Sequence, residues 1–598
     1  MDGRKLEYKG VEALKEIERL TLKAGEVQEQ ILREILTQNK NTEYLKKYIN
    51  EKDLSITEFM RCVPVTIYEA IFPYIERIAN GDESSLITGH PVTEMLCSSG
   101  TSGGEPKITP SIAEDLDRRT FLYNLIMPII NQYVPNLDEG KAMFLYFVKA
   151  EMSTPCGLPA RTVLTSYYKS KHFKCRSHDR WNDLTSPDQT ILCTDTAQSM
   201  YCQILSGLIQ RQQVLRLGAV FASAFLRAIS FLECNWKILT EDIRTGHLNN
   251  SITDPNCRSC MTTLLSSPNP TLADELVKVC SEKCWKGILC KIWPRAKYIE
   301  AVVTGSMAQY VPALDYYSDG KLPLVCTMYA SSECYFGVNL RPFCDPKDVA
   351  FTILPNMGYF EFIPLGHNGT LLMDFDEKKQ VPNEKLVDLV HVKLGCFYEL
   401  VITTFAGLYR YRIGDVVQVV GFYNKAPQFR FICRRNVVLS IDTEKTSEED
   451  LHRAITMAKK LLEPHDALLL EYTSYPDTSS LPGHYVLYWE IQILHNNSNN
   501  NKYFSVIEEC CNVIEEELDY VYRRCRTNDR SVGPLEIRVV EGGTFDLLMD
   551  LFIAQGASIN QYKTPRCVKS KKALKLLKSR VLASFFSTRD PKWAPKMC

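Results

Sequence analysis

No stretch of the 598-residue chain is apolar for long enough to span a bilayer, and the amino terminus, MDGRKLEYKGVEALKEIERL, lacks the apolar centre of a secretory signal. Charge of one sign does not accumulate either. The 70 Lys and Arg residues face 71 Asp and Glu, for a net charge of -1 and a pI near 6.8, and basic residues are interspersed with acids. Such a surface offers no field to a polyanion, so neither nucleic acid nor membrane is expected as a partner. A soluble, cytoplasmic, monomeric protein is expected. Histidine is scarce, with ten residues, and none stands in the H-x-x-x-D pattern of acyltransferases. Internal repeats are missing, and low complexity is confined to HNNSNNNK at His495 to Lys502, which reads as an exposed loop.

What is present points to a large folded protein. At 598 residues, with 45% hydrophobic content, the chain exceeds the size at which one core stops growing, so at least two domains are expected. The 22 cysteines of a cytoplasmic protein are reduced and pack as small apolar side chains. Cys257-x-x-Cys260 with Cys280 and Cys284 downstream is the nearest approach to a zinc pattern. Its second pair lies in ELVKVCSEKCWKGILCKIW, which reads as an amphipathic helix, so buried thiols are the preferred reading. Val27, Ile31 and Ile35 recur at helical spacing in a helical amino-terminal layer. Strand-like runs come next, among them KAMFLYFVK, KYIEAVVTGS, LPLVCTMYASSE, YFEFIPL and DVVQVVGFY, separated by helical stretches such as SAFLRAISFLECNWKILTEDI. This order predicts an α/β unit. Beyond RRNVVLSIDTEKTSEEDL the pattern restarts with a helix near Ser447 to Leu462, strands HYVLYWEIQI and PLEIRVV, and a helix TFDLLMDLFIAQG. A boundary is expected near Asp442, giving domains 1–441 and 442–598.

The stretch CSSGTSGGEPK, Cys97 to Lys107, admits three readings. Gly100-Thr-Ser102-Gly-Gly104 satisfies the G-x-S-x-G pattern of a serine hydrolase elbow, in which a strand turns directly into a helix. EPKITP intervenes here, and the next helix is expected at Ser111, where Ser111-Ile-Ala-Glu114 makes a capping box. A Walker A loop is excluded, because Gly100-x-x-Gly103-Gly104-x-x-Lys107 lacks the G-K-[ST] ending. A mobile loop of hydroxyls, backbone N–H groups and a lysine suits a polyphosphate. A plain surface turn is the third possibility.

Two further stretches favour the phosphate. YASSECYFGVNL, Tyr329 to Leu340, sets Glu333 after two hydroxyls at a strand end, as a magnesium ligand beside nucleotide phosphates is set. FAGLYRYRIGDVVQVVGF, Phe405 to Phe422, puts Asp415 at a Gly-Asp turn, where a carboxylate is able to accept two ribose hydroxyls. A polar strand end and a turn aspartate are the plainer alternatives.

Taken together, SSGTSGG, YASSECYFG and YRIGDVVQVVGFYN resemble, in order, the three nucleotide motifs of the plant Gretchen Hagen acyl acid–amido synthetases, members of the adenylate-forming superfamily. The segments GLPARTVLTSYYKS, VVTGSMAQYVP and GPLEIRVV extend the resemblance nearly end to end. It implies a two-domain α/β fold of the firefly luciferase type, with β-barrel and sheet-and-helix layers in a large amino-terminal domain and a small mobile carboxy-terminal one. ATP and Mg2+ are the implied cofactors. The implied reaction joins indole-3-acetic acid to an amino acid, aspartate or glutamate, through an acyl adenylate; jasmonate and benzoates stay open as the acid.

Residue by residue, the resemblance assigns Ser98, Ser99, Thr101, Tyr329, Ser331 and Asp415 to the nucleotide, Glu333 to magnesium, and Lys445 and Lys563 to the catalytic contribution of the small domain. In the helix expected from Ser111, Arg119, Tyr123 and Ile126 lie at i, i+4 and i+7 and put a cation, a ring and an aliphatic group on one face, which suits an aromatic acid. A surface Asp115–Arg119 ion pair above a core stripe is the alternative. Auxin-type members of the family have the same lining, and Val163, Leu164, Val220, Met328, Ala330 and Tyr335 fall at matching positions. Ile126 replaces the usual leucine and Pro106 the usual arginine. A G-x-S-x-G hydrolase and a non-catalytic hormone-binding protein remain as rivals from other classes.

Overall fold

A computed structural model describes residues 10–49, 54–102, 105–176, 183–366, 386–434, 437–465, 467–493, 504–554 and 564–594. The chain divides into two compact units, one built mainly from Met1–Ser98 and Ile108–Arg435, the other from Ser99–Lys107 and Asn436–Ala594. The units part ahead of the Asp442 expected from sequence. The reason is local pairing: the strand Val437–Leu439 bonds to the strand Thr446–Ser447, so the residues leading to Asp442 fold with the small unit.

The large unit opens with two helices, Val11–Leu22 and Ala24–Asn39, broken at Lys23. Ile31, Ile35 and Leu36 are fully buried along one face, as the periodicity requires. A parallel four-stranded sheet takes Lys141–Leu145, Val214–Phe221, Tyr298–Val302 and Leu324–Val325 in that order. Its strands are short apolar runs with helices between them, including Ala222–Thr245. Gly218 lets two of these strands approach closely: a Cβ there would lie 2.1 Å from the Glu300 carbonyl oxygen. An eight-stranded sheet carries Tyr359–Leu365, Phe397–Thr403, Tyr411–Tyr423 and Ala426–Arg434 as consecutive antiparallel neighbours.

Three local expectations are corrected. The segment Cys97 to Lys107 is not a loop followed by a helix. Val92–Ser102 and Glu105–Ile112 are adjacent strands of one sheet, so Ser102 ends a strand whose partner is another strand. The helix thereafter is Ala113–Ile130, and its capping carboxylate is Asp115, not Glu114: Asp115 Oδ2 accepts the Ile112 N–H at 3.2 Å. The run from Glu275 to Trp293 is two helices, Pro270–Cys280 and Ile288–Ile292. Gly287, at φ 71° before the second, is a conformation that a continuous helix excludes.

The small unit is a four-stranded sheet in the order Ala467–Asp477, His484–Ile493, Glu536–Val540, Val581–Phe586. The expected helices appear as Glu448–Ala458 and Thr544–Ala554. Trp489, Tyr485 and Tyr488 on its second strand are fully buried. The asparagine-rich patch at 495–502 lies outside the described residues.

Candidate active site

The hairpin of Met328–Ala330 and Tyr335–Val338 is the centre of the arrangement. Alternation along its first strand sends neighbouring side chains to opposite sides. Met328 faces a cavity of about 580 Å3, whereas the Tyr329 hydroxyl donates to Asp415 Oδ2 at 2.6 Å. Asp415 lies inside the strand Tyr411–Tyr423 and not at a turn ahead of it. Gly414, at φ 85°, accommodates the irregularity at which the strand register with Phe397–Thr403 shifts. Burial raises the Asp415 carboxyl above the ordinary range, while Arg434, with Nε 3.7 Å from Oδ1, acts in the opposite direction.

Glu333 sits in the turn of the hairpin, which Ser331 closes by donating its N–H to the Cys334 carbonyl at 2.8 Å. The Ser332 hydroxyl donates to Glu333 Oε2 at 2.8 Å. Oε1 is buried with no hydrogen-bond partner among the described residues, 3.8 Å from Arg434 Nη2. A desolvated, unsatisfied carboxylate oxygen is the donor type that a hard cation such as magnesium takes, so Glu333 fits the role assigned to it.

Arg119 is buried, at 6% exposure, which removes the surface-pair reading. Asp115 pairs with Arg118 at 2.8 Å instead. Arg119 Nη2 donates to Ser111 Oγ at 3.2 Å; Nη1 is buried, 4.0 Å from Glu94, and makes no hydrogen bond among the described residues. Four residues along, the Tyr123 and Tyr335 hydroxyls share a hydrogen bond of 3.0 Å, and the Tyr123 ring lies 4.5 Å from that of Tyr167. Burial drives the Tyr123 phenol well above its ordinary pKa, so it remains a neutral donor.

Tyr123, Ile126, Val220 and Met328 line the cavity. Arg119, Val163, Leu164, Ala330 and Tyr335 are not among its lining residues; Leu164 packs in one cluster with Tyr123, and Ala330 pairs with Tyr335 across the hairpin. Ser98, Ser99 and Thr101 are carried by the strand Val92–Ser102. In the small unit, Lys445 Nζ donates to Ser440 Oγ at 2.7 Å and to the carbonyls of Asp442 and Glu444. Lys563 lies outside the described residues.

Three family models cover most of the chain: the GH3 family N-terminal domain matches residues 13–324, the central domain 351–434 and the C-terminal domain 449–572. The chain belongs to the GH3 family. Among its relatives, GH3.9 of Arabidopsis thaliana is 68% identical over 597 residues, covering 100% of both chains. The indole-3-acetic acid-amido synthetase GH3.17 of Arabidopsis thaliana is 57% identical over 97% of both. The solved structure of the GH3.15 acyl acid amido synthetase superposes with a TM-score of 0.68 at 46% identity, over 99% of this chain and 100% of that one.

This GH3 cavity also contains a buried ionic group that sequence reasoning missed. Arg216 and Glu300 are among its lining residues; the Glu300 carboxylate accepts from Thr327 Oγ1 at 3.1 Å, and burial raises its pKa against the pull of Arg216. Arg216 Nη1 donates to Met127 Sδ at 3.1 Å, while Nε and Nη2 have no partner among the described residues. The only sequence signal was a charged residue inside each of two apolar strand runs, Val214–Phe221 and Tyr298–Val302.

Proposed function

We propose that this GH3 protein is an acyl acid–amido synthetase that uses ATP to join indole-3-acetic acid to aspartate or glutamate, lowering the free acid. One observation carries the reading: Met328 lines an aromatic-walled cavity while Tyr329, the next residue, holds the buried Asp415, so a single short strand separates an acid pocket from a nucleotide contact. The similarity to indole-3-acetic acid-amido synthetases supports the choice of acid.

In this reading Arg119, whose Nη1 makes no hydrogen bond among the described residues, and Tyr123 hold the acid, with Ile126, Val163, Leu164, Val220, Met328, Ala330 and Tyr335 shaping its surroundings. A carboxylate oxygen of the acid attacks the α-phosphorus of ATP, and the bond to pyrophosphate breaks. The amine of the amino acid then attacks the acyl carbon; the C–N bond forms, AMP leaves and the amine proton passes to solvent. Adenylation is needed because a carboxylate is a poor electrophile and its oxygen a poor leaving group. Asp415 holds the ribose, Tyr329 and Ser331 contact the nucleotide, and Ser98, Ser99 and Thr101 hold phosphate. Glu333 would hold magnesium, which would supply charge neutralisation on the phosphates. Lys445 and Lys563 contribute positive charge to the transferring acyl phosphate. The protein works as a cytoplasmic monomer.

The test is product analysis with ATP, Mg2+, the acid and a panel of amino acids. Formation of the amide together with AMP is expected only when every component is present. Release of ADP and phosphate, or hydrolysis without amide, would contradict the proposal.

A further inference from the structure

Away from that site, three segments of the large unit converge on sulfur and oxygen donors that their spacing does not announce. Cys193 lies between the helices Asp188–Ile191 and Thr196–Ile209, Cys202 on the second of these, and Asp254 and Cys257 at the start of Pro255–Leu265. The sulfurs of Cys193 and Cys257 and a carboxylate oxygen of Asp254 all lie within 4.8 Å of one another. Cys202 and Cys257 are fully buried and Cys193 is 5% exposed. Their remaining contacts are long: Cys193 donates to the Asp195 carbonyl at 3.6 Å and Cys257 to the Gln189 carbonyl at 3.9 Å. Asp254 is held in place, because Oδ1 accepts the Cys257 N–H at 2.8 Å and its own N–H donates to Gln198 at 2.9 Å.

We propose that Cys193, Cys257 and Asp254 bind one Zn2+ ion. Zinc–sulfur bonds of about 2.3 Å in a tetrahedron place ligand atoms roughly 4 Å apart, within the spread found here. Two thiols with one carboxylate form a borderline-soft set that selects zinc over magnesium or calcium. Cys193 and the Asp254–Cys257 pair come from separate segments of the chain, and none belongs to the pocket described above, so the ion would act as a structural staple. Binding transfers the protons of the Cys193 and Cys257 thiols to solvent, leaving two thiolates on the metal. Cys280 and Cys284, the downstream members of the sequence pattern, are not part of the group; Cys284 is exposed beside the Tyr316 hydroxyl.

The test uses the full-length protein, reduced, stripped with a chelator and titrated with Zn2+ or Co2+. One equivalent should bind, Co2+ should give a near-ultraviolet thiolate charge-transfer band with tetrahedral visible bands, and Zn2+ should raise Tm. Cys193→Ser and Cys257→Ser should each weaken binding tenfold or more, while Cys284→Ser leaves it unchanged. Undiminished binding in both serine variants would overturn the site. So would an octahedral, thiolate-free Co2+ spectrum of the unsubstituted protein, which needs no variant to fold. A Cys193–Cys257 disulfide in protein isolated without oxidant would also overturn it.

Discussion

Arg119 has one nitrogen tied to Ser111 and another buried 4.0 Å from Glu94 without a hydrogen bond among the described residues, an arrangement that holds a cation in place and leaves a donor for an incoming carboxylate. Arg119→Gln should raise KM for the acid by roughly 10- to 100-fold, the scale of a hydrogen bond to a charged group. Nucleotide binding should be unaltered, since Glu94 keeps Arg161 at 3.3 Å. Steady-state kinetics in acid, paired with nucleotide calorimetry, reads both quantities. Asp415 gives a pH signature. Burial raises its carboxyl pKa, so the ionised form that accepts ribose hydroxyls is lost at a higher pH than for an ordinary aspartate. Nucleotide affinity should therefore fall as the solution is acidified, beginning above the usual carboxylate range. Asp415→Asn should bind weakly and with no such dependence; an equal slope in the variant would assign the titration elsewhere.

Among the elements, the eight-stranded sheet is anchored by a charge pair with no access to solvent. Arg410 donates to Glu361 through Nε at 2.8 Å and Nη2 at 2.7 Å, and through Nη1 to the carbonyls of Met60 and Val63 at 2.9 Å. Glu361→Gln leaves a guanidinium buried without its counter-charge. A loss of about 3–5 kcal/mol is expected in denaturant unfolding. Strands such as Tyr359–Leu365 and His484–Ile493 were legible in sequence because β-branched and aromatic residues make up most of them. The Cys97 to Lys107 segment was not. Its glycines and hydroxyls are turn residues by composition, yet pairing between Val92–Ser102 and Glu105–Ile112 carries the strand through Ser102. That same pairing removes the strand-to-helix geometry a hydrolase elbow requires. Ile126, Tyr123, Val220 and Met328 were legible as pocket residues through family resemblance, whereas Arg216 and Glu300 meet only because parallel strands bring distant segments into register.

On the scale of the whole molecule, stability against pH should carry the mark of Asp519 in the small unit. Its Oδ1 caps the helix Tyr520–Thr527 through the Tyr522 N–H at 2.7 Å, but Oδ2 is buried without a partner among the described residues. Burial pushes the carboxyl up to about 7. Folding thus raises the pKa of an acid: between about 4 and 7 the unfolded chain releases a proton that the folded one keeps, so stability falls as pH rises through that window and levels off above it. Asp519→Asn retains the cap and removes the penalty. Melts at pH 5 and pH 8 should show the variant gaining on the unsubstituted protein at the higher pH; a uniform shift would contradict the assignment.

Acid-dependent exchange of labelled pyrophosphate into ATP, measured with Mg2+ and indole-3-acetic acid and with no amino acid present, decides whether the reaction runs through an acyl adenylate. An acyl-adenylate route predicts rapid exchange that vanishes when the acid is omitted and is strongly reduced in Asp415→Asn. Amide synthesis with no exchange at all, or exchange that proceeds equally well without the acid, would contradict it.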